Sequence, residues 1–140
     1  MADYAAPVRD MQFVINEMIG SDRLAGLPGC EDVSDDLTNA VLEEAAKLAG
    51  EVLSPLNRVG DLEGARLDGD VVHTPSGWRE AYTAFCEGGW TSLAMSPEFG
   101  GQGLPKVIAT AVSEMWDGAN MAFALCPLLT NGAIEAIEQH

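Results

Sequence analysis

Apolar residues recur along most of this chain at helical intervals. Met11, Val14, Ile15 and Met18 follow such a spacing behind an extended start at Tyr4-Ala5-Ala6-Pro7-Val8-Arg9, and Asp10 stands where it could cap the short helix they predict. Gly20, Gly26, Pro28 and Gly29 then predict a turn-rich link. The clearest stripe is Leu37, Val41, Ala45, Leu48 and Val52, which predicts a helix over 35–53. Glu43, Glu44, Lys47 and Glu51 occupy its wetter side, with Glu43 and Lys47 as a favourable i,i+4 pair. The acidic run 31–36 precedes this helix, where the positive end of the helix dipole favours it, and Pro55 predicts its end.

From 60 to 77 the helical spacing gives way to Gly60-Asp61, Gly64, Asp68-Gly69-Asp70 and Pro75-Ser76-Gly77. Arg66-Leu67 and Val71-Val72-His73 fit the arms of a short hairpin inside that stretch. Thr74 as cap and Pro75 as first helical residue predict a helix through Trp78, Tyr82 and Phe85 that stops at Gly88-Gly89. A loop over 96–105 leads to a helix over 105–117, with Val107, Ala111, Glu114 and Met115 on neighbouring turns. Asn120 is placed to cap a helix over 121–129 despite Pro127, and Asn131-Gly132 allow a break before 133–139. The pattern predicts a mostly α fold with one short irregular or weakly β insertion.

Composition narrows the partners. The 140 residues are 47% hydrophobic and 21% charged, enough apolar matter for one domain with its own core. Seven basic against 22 acidic residues give a net charge of −15, which repels phosphate backbones and anionic membrane surfaces. No nucleic acid is therefore expected as a partner. Cys30, Cys86 and Cys126 are odd in number, widely spaced and contain no CxxC pair, so neither a disulfide framework nor a structural zinc site is expected. With only His73 and His140 beside them, no metal site is expected at all. The start Met1-Ala2-Asp3-Tyr4 lacks the basic and apolar regions of a secretory signal, and no apolar run reads as long enough to span a bilayer. A soluble protein of the reducing cytoplasm is the expectation.

Candidate chemistry is sparse. Gly100-Gly101-Gln102-Gly103 precedes a helix and could receive a phosphate on its amides, yet it lacks the G-K-[ST] ending and any preceding strand. A tight connection between packed helices is the favoured reading of that loop. His73 has no evident carboxylate and nucleophile around it, and Ser, His and Asp form no recognisable catalytic pattern. These residues alone describe a soluble, acidic helical domain.

A more specific signal lies in the last third. Glu87-Gly88-Gly89-Trp90-Thr91-Ser92-Leu93, followed by Ser96-Pro97-Glu98-Phe99-Gly100-Gly101-Gln102-Gly103-Leu104-Pro105, resembles the N-terminal helical domain of acyl-CoA dehydrogenases. There a glycine-tryptophan turn and a proline–acid–aromatic–Gly-Gly-x-Gly loop recur in this order. Val112-Ser113-Glu114-Met115 and Ala119-Asn120-Met121-Ala122-Phe123-Ala124 are similar to that family's next two helices. The opening 4–17 resembles an extension found in a larger subgroup that includes the methylthiopropionyl-CoA dehydrogenase-like enzymes. The resemblance divides the chain into an extension with a short helix, 1–30, and a helical domain, 31–140.

The resemblance implies a truncated piece of a flavoenzyme, because family members continue into a β-barrel and a C-terminal helical domain. FAD and the catalytic glutamate would lie in those later parts, so no catalytic residue is assigned within 1–140, and this chain alone is expected to be inert. In the family that glutamate removes the α-proton of an acyl-CoA thioester while a hydride leaves the β-carbon for the flavin. The partners implied are the acyl-CoA substrate, an electron-transfer acceptor and further copies of the chain in a homo-oligomer.

Carried over from the family's chain-lining helix, Ala124, Leu125, Leu128, Leu129 and Gly132 would form the distal wall of the acyl pocket. Ala124, Leu128 and Gly132 are four apart and share a face if the helix runs that far. Small and apolar side chains leave dry room for an alkyl chain, although a helix-bundle core asks for the same residues. For Trp90 and Trp116 a place beside flavin or substrate is the alternative, and core packing is the favoured reading, because an aromatic at helical spacing is more often core. Glu114 is expected to be structural. Met115, Leu125, Leu128 and Ile134 are expected to be exposed where the missing domains would pack, which predicts self-association.

Two other readings stand beside this one. The first is a non-enzymatic helical module for acyl binding or interaction. The second is the related alkylation-response branch associated with DNA, against which the charge of −15 counts.

Overall fold

The computed structural model describes residues 4–140, so residues 1–3, part of the start read for a signal, lie outside the described residues. Helix α1 (Val8–Gln12) runs through a π-helical stretch, Phe13–Gly20, into α2 (Ser21–Ala25). Asp10 lies in the first turn and caps nothing with its side chain; the N-cap is Pro7. The wider i→i+5 turn also changes which side chains face inward. Met11, Ile15 and Leu24 are buried and Ile19 packs against them, while Val14 and Met18 are left exposed. A strict helical count puts those two on the wrong face.

Helix α3 (Asp35–Lys47) is capped by Ser34, whose hydroxyl accepts the Leu37 amide at 3.2 Å, and Asp35 and Asp36 fill its first turn. It does not stop before Pro55. A π turn, Leu48–Leu53, passes directly into α4 (Ser54–Glu63), and the proline sits in the first turn of that segment. There the bonding pattern changes, and a missing amide proton is tolerated. The buried stripe is Thr38, Leu42, Ala45, Ala49 and Leu53, all fully inaccessible. Leu37, Val41, Leu48 and Val52 flank it half-buried, so the inward face is rotated by one position from the expected one. Lys47 pairs with Glu44, one position from its expected partner Glu43.

Thr38 explains part of that rotation, since its hydroxyl makes it look like an outward position. Its Oγ1 is buried with no hydrogen-bond partner. An isosteric Thr38→Val change removes an unsatisfied group without leaving a hole, and is expected to stabilise the fold by about 1 kcal/mol. Thermal and urea unfolding read this directly; a loss of stability would mean that the hydroxyl is bonded in solution.

The insertion is a hairpin, as expected. Strands β1 (Arg66–Asp68) and β2 (Val71–His73) pair antiparallel with Leu67 opposite Val72 and all six residues exposed. Helix α5 (Trp78–Glu87) begins three residues later than Thr74 and Pro75 suggest. Residues 75–77 form a turn closed by Trp78 N–H to Pro75 O, and Gly77 at φ +79° leads into the helix. The Glu63 carboxylate accepts the Ser76 amide at 2.7 Å, and that bond holds its carboxyl below the usual carboxylate range. Gly88 and Gly89 end α5 as expected.

Helix α6 (Lys106–Gln139) spans what the sequence divides into three helices. It has one non-helical residue, Asn120, and no break at Asn131-Gly132, where the helix runs on. The Asn120 side chain caps the stretch after it, its Oδ1 accepting the Phe123 amide at 3.1 Å. The chain folds back at this point: Lys106 forms an ion pair with Glu135, 29 residues on, which a straight helix would hold about 43 Å away. Two arms result, 106–119 and 121–139.

Taken as one run, residues 106–138 are long and apolar enough by length and composition to cross a membrane, so the expectation that no run reaches that length does not hold. The fold-back divides that run, and the apolar residues of the first arm serve the core. Ile108, Val112, Met115, Trp116 and Ala119 are buried against α3 and the π turn. Large aliphatic side chains buried this fully contribute about 1.5–3 kcal/mol each to holding the arm in place. Met115, expected at an exposed face, is fully inaccessible.

Candidate functional site

Between the two arms of α6 lies a cleft of about 460 Å³. That is within the range of roughly 300–1,000 Å³ in which small molecules are usually bound. Its floor is the segment after α5, with Trp90, Leu93, Ala94 and Met95 facing in. Its deep end is aromatic. Trp116 meets Trp90 at 5.4 Å and Phe85 at 5.6 Å, both edge to face, and Phe85 meets Phe123 at 5.5 Å. Trp116 is therefore core and cleft at once: it is buried, yet its edge contributes to the wall. At the far end the Lys106–Glu135 pair ties the arm tips together, and a bond from Ser96 N–H to Glu138 Oε1 ties the second arm to the floor segment.

The floor is held by backbone bonding. Gly101 N–H donates to Ser96 O, Gln102 N–H to Ser92 O, Gly103 N–H to Met95 O and Leu104 N–H to Leu93 O, all within 3.0 Å. The Gln102 side chain adds a bond to Gly89 O at 2.9 Å. With these amides engaged inside the loop, Gly100-Gly101-Gln102-Gly103 is a tight connection and does not fit the diphosphate of a nucleotide or of FAD.

Of the five residues expected to form a pocket wall, Ala124, Leu128 and Gly132 line the cleft. Leu125 and Leu129 do not. Each follows a lining residue, Ala124 or Leu128, by about 100° round the helix, and they are 53% and 80% exposed. Spacing by four singles out the three that line the cleft, and their two neighbours do not line it. Pro127 does not disturb the register, and it too lines the cleft. Sequence reasoning misses the first-arm residues Ala109, Thr110 and Ser113 and the floor residues Ala94 and Met95. Only the fold-back at Asn120 brings the first arm opposite the second.

The remaining candidates fall outside this cleft. His73 is exposed on β2, with its Nε2 4.0 Å from an Asp68 carboxylate oxygen. Glu114 is exposed on the opposite side of the first arm, in an open groove with Pro7, Met11 and Ile15. Burial, with the Glu114 charge as a lesser cause, raises the pKa of Tyr4 above its ordinary value. Cys86 and Cys126 are exposed and Cys30 is half-buried, all three as free thiols. Among the described residues no cluster of three or more His, Cys, Asp or Glu side chains could hold a metal ion.

No family model matches the chain. Curated proteins do. It is 44% identical over 134 residues to a 3-methylmercaptopropionyl-CoA dehydrogenase of Ruegeria pomeroyi, covering 96% of this chain and 23% of that protein. It is 29% identical over 124 residues to a broad-specificity linear acyl-CoA dehydrogenase of Mycobacterium tuberculosis, covering 87% of this chain and 20% of the relative. A butyryl-CoA dehydrogenase of Syntrophomonas wolfei is 27% identical over 147 residues, covering 99% of this chain and 23% of the relative. The chain is thus homologous to acyl-CoA dehydrogenase family members over most of its length, and it spans between a fifth and a quarter of theirs.

Proposed function

We propose, for a chain homologous to acyl-CoA dehydrogenases, that it is the N-terminal helical portion of a flavin-dependent enzyme of that kind and that the cleft between the arms of α6 is part of its acyl pocket. On this reading residues 1–30 are an extension and 31–140 the helical domain. The extension shares the domain's core through Met11, Ile15 and Leu24.

One observation carries the site assignment. Gly132 lies within a helix, where glycine costs about 1 kcal/mol relative to alanine, and nothing stands within 4 Å of the place a Cβ would occupy. Packing gives no reason for it. Gly60 contrasts, because a Cβ there would stand 2.5 Å from the Trp78 ring. Room in the cleft is what an absent side chain at Gly132 provides, opposite a wall with Ala109 and Trp116.

In this proposal Ala124, Leu128 and Gly132 hold the apolar part of an acyl-CoA thioester and keep water from it. FAD would accept the hydride, held by parts of the enzyme outside these residues. The proton-abstracting base is likewise assigned to no residue here. An electron-transfer acceptor would reoxidise the flavin. The three free thiols are in keeping with the reducing cytoplasm as its place.

The test is to purify the natural protein containing these residues and ask whether it carries flavin that bleaches on addition of acyl-CoA. Bleaching supports the reading. Acyl-CoA binding by a natural protein without flavin would favour a stand-alone acyl-binding module.

A homo-oligomer is part of the same proposal. Met121, Leu125, Leu129 and Ile137 of the second arm are between 53% and 80% exposed, an unusual amount of large apolar surface for one helix. The isolated chain is expected to self-associate through this face, and the double change Leu125→Glu with Leu129→Glu to keep it monomeric. Sedimentation velocity over a range of concentrations checks this; a wild-type chain that stays monomeric throughout would contradict it.

A further inference from the structure

We infer that Asn120 is a positioning residue that fixes the angle between the two arms of α6 and thereby the width of the cleft; only the ligand half of its test rests on the acyl-site reading.

Asn120 is 1% exposed and is the single non-helical residue of α6. Its amide uses both ends. Oδ1 accepts the Phe123 amide at 3.1 Å, and Nδ2 donates to the Leu53 carbonyl at 3.2 Å, 67 residues away in the chain. Leu53 is itself fully inaccessible and stands where the π turn passes into α4. The first bond fixes where the second arm begins, and the second pins that corner to a different helix. Aspartate lacks the donor, leucine lacks both groups, and glutamine is one methylene too long for this placement. A planar group with one donor and one acceptor, both satisfied inside the core, orients its surroundings more tightly than apolar contact does.

Leverage makes the angle matter. Fifteen residues separate Asn120 from Glu135, about 22 Å of helix, so a 10° turn at the corner moves the tip by about 4 Å. The second arm's tip is held to the first arm by the Lys106–Glu135 pair and to the floor loop by the Glu138 bond to Ser96, both exposed and open to competition from water. The buried corner therefore sets the geometry, and the tip contacts follow it. Ala124, Leu128 and Gly132 are spaced along the moving arm. A change of angle displaces Gly132 most and Ala124 least, which alters the width of the cleft at its tip more than at its aromatic end.

The test uses Asn120→Asp, nearly isosteric, which keeps an acceptor for Phe123 N–H and sets a second acceptor against Leu53 O. Zero-length carbodiimide coupling reads the native Lys106–Glu135 pair by peptide mapping, with the Lys47–Glu44 pair inside α3 as internal control. The expected result is a drop of five-fold or more in the Lys106–Glu135 product with the control unchanged and the helix content retained. Equal yields from a folded variant would overturn the inference. If Asn120→Asp does not fold, Asn120→Ser, which keeps a cap and adds no charge, carries the same test. The second readout is the ratio of affinities for long-chain and short-chain acyl-CoA, expected to change five-fold or more; a merely structural role would lower the melting temperature and leave that ratio in place. Should the wild-type protein bind no acyl-CoA, the acyl-site reading fails, while the coupling yield still decides the role of Asn120.

Discussion

Gly101→Ala is expected to destabilise the protein by about 3 kcal/mol or more, enough to unfold a marginally stable domain. A Cβ at this position would stand 2.1 Å from Met95 O and 2.4 Å from Met95 C. Both are backbone atoms, so no rotamer change relieves the contact. The surrounding loop cannot give way cheaply either, because Gly103 N–H is bonded to Met95 O and Leu104 N–H to Leu93 O. Gly100 is the control. It has φ +84° with nothing within 4 Å of its added Cβ, so Gly100→Ala meets only the left-handed backbone penalty of about 1–2 kcal/mol. Urea unfolding of the two variants side by side checks the order; a Gly101→Ala protein as stable as wild type would mean that the loop is built differently. The effect would reach the cleft as well, since Met95 and Leu93 belong to its floor.

Gly132→Leu is expected to move stability and binding in opposite directions. The helix gains up to about 0.8 kcal/mol from replacing glycine with a strong helix former, and the new side chain meets no existing atom within 4 Å at its Cβ. The same side chain enters the cleft beside Leu128. Affinity for long acyl-CoA is therefore expected to fall ten-fold or more, about 1.4 kcal/mol, with short acyl groups affected least. Calorimetric titration with a series of acyl-CoA lengths, paired with thermal unfolding, makes the comparison. A variant that is more stable and binds every chain length as the wild type does would remove Gly132 from the site. Leu125→Ala, which is not among the cleft-lining residues, should leave the length preference unaltered.

Much of the secondary structure is legible in the sequence because local signals agree with it. The hairpin strands, the stop at Gly88-Gly89 and the cap at Asn120 each depend on residues a few positions apart, and each is where the sequence puts it. Expectations that depend on a constant helical period fare less well. Two π-helical stretches, Phe13–Gly20 and Leu48–Leu53, change the period in mid-helix, and no residue type announces them. A constant period therefore turns Val14 and Met18 inward and makes Pro55 look like a stop. The one-position shift of the stripe on α3 is already present at Thr38 and Leu42, before the second π stretch, where the hydroxyl of Thr38 disguises an inward position.

The candidate site is legible by halves for a related reason. Ala124, Leu128 and Gly132 share a face of one helix, which spacing alone reveals. The wall opposite them depends on the direction taken at Asn120, which is set by a bond to Leu53, 67 residues earlier. A long-range contact of that kind leaves no periodic trace in the chain, so nothing local marks Ala109, Ser113 and Met95 as cleft residues. The same fold-back explains why Met115, expected at the surface, is buried, while Leu125 and Leu128 are exposed as anticipated.

Photo-crosslinking reads out whether the cleft between the arms of α6 receives the acyl group of an acyl-CoA. An acyl-CoA carrying a diazirine near the end of its acyl chain is bound to the natural protein, irradiated, and the modified residues are mapped by mass spectrometry. The expected result is saturable labelling at Ala124, Leu128, Gly132 or Trp116, suppressed by excess unlabelled acyl-CoA. Labelling confined to Leu125 and Leu129, or label that unlabelled acyl-CoA does not displace, would contradict it.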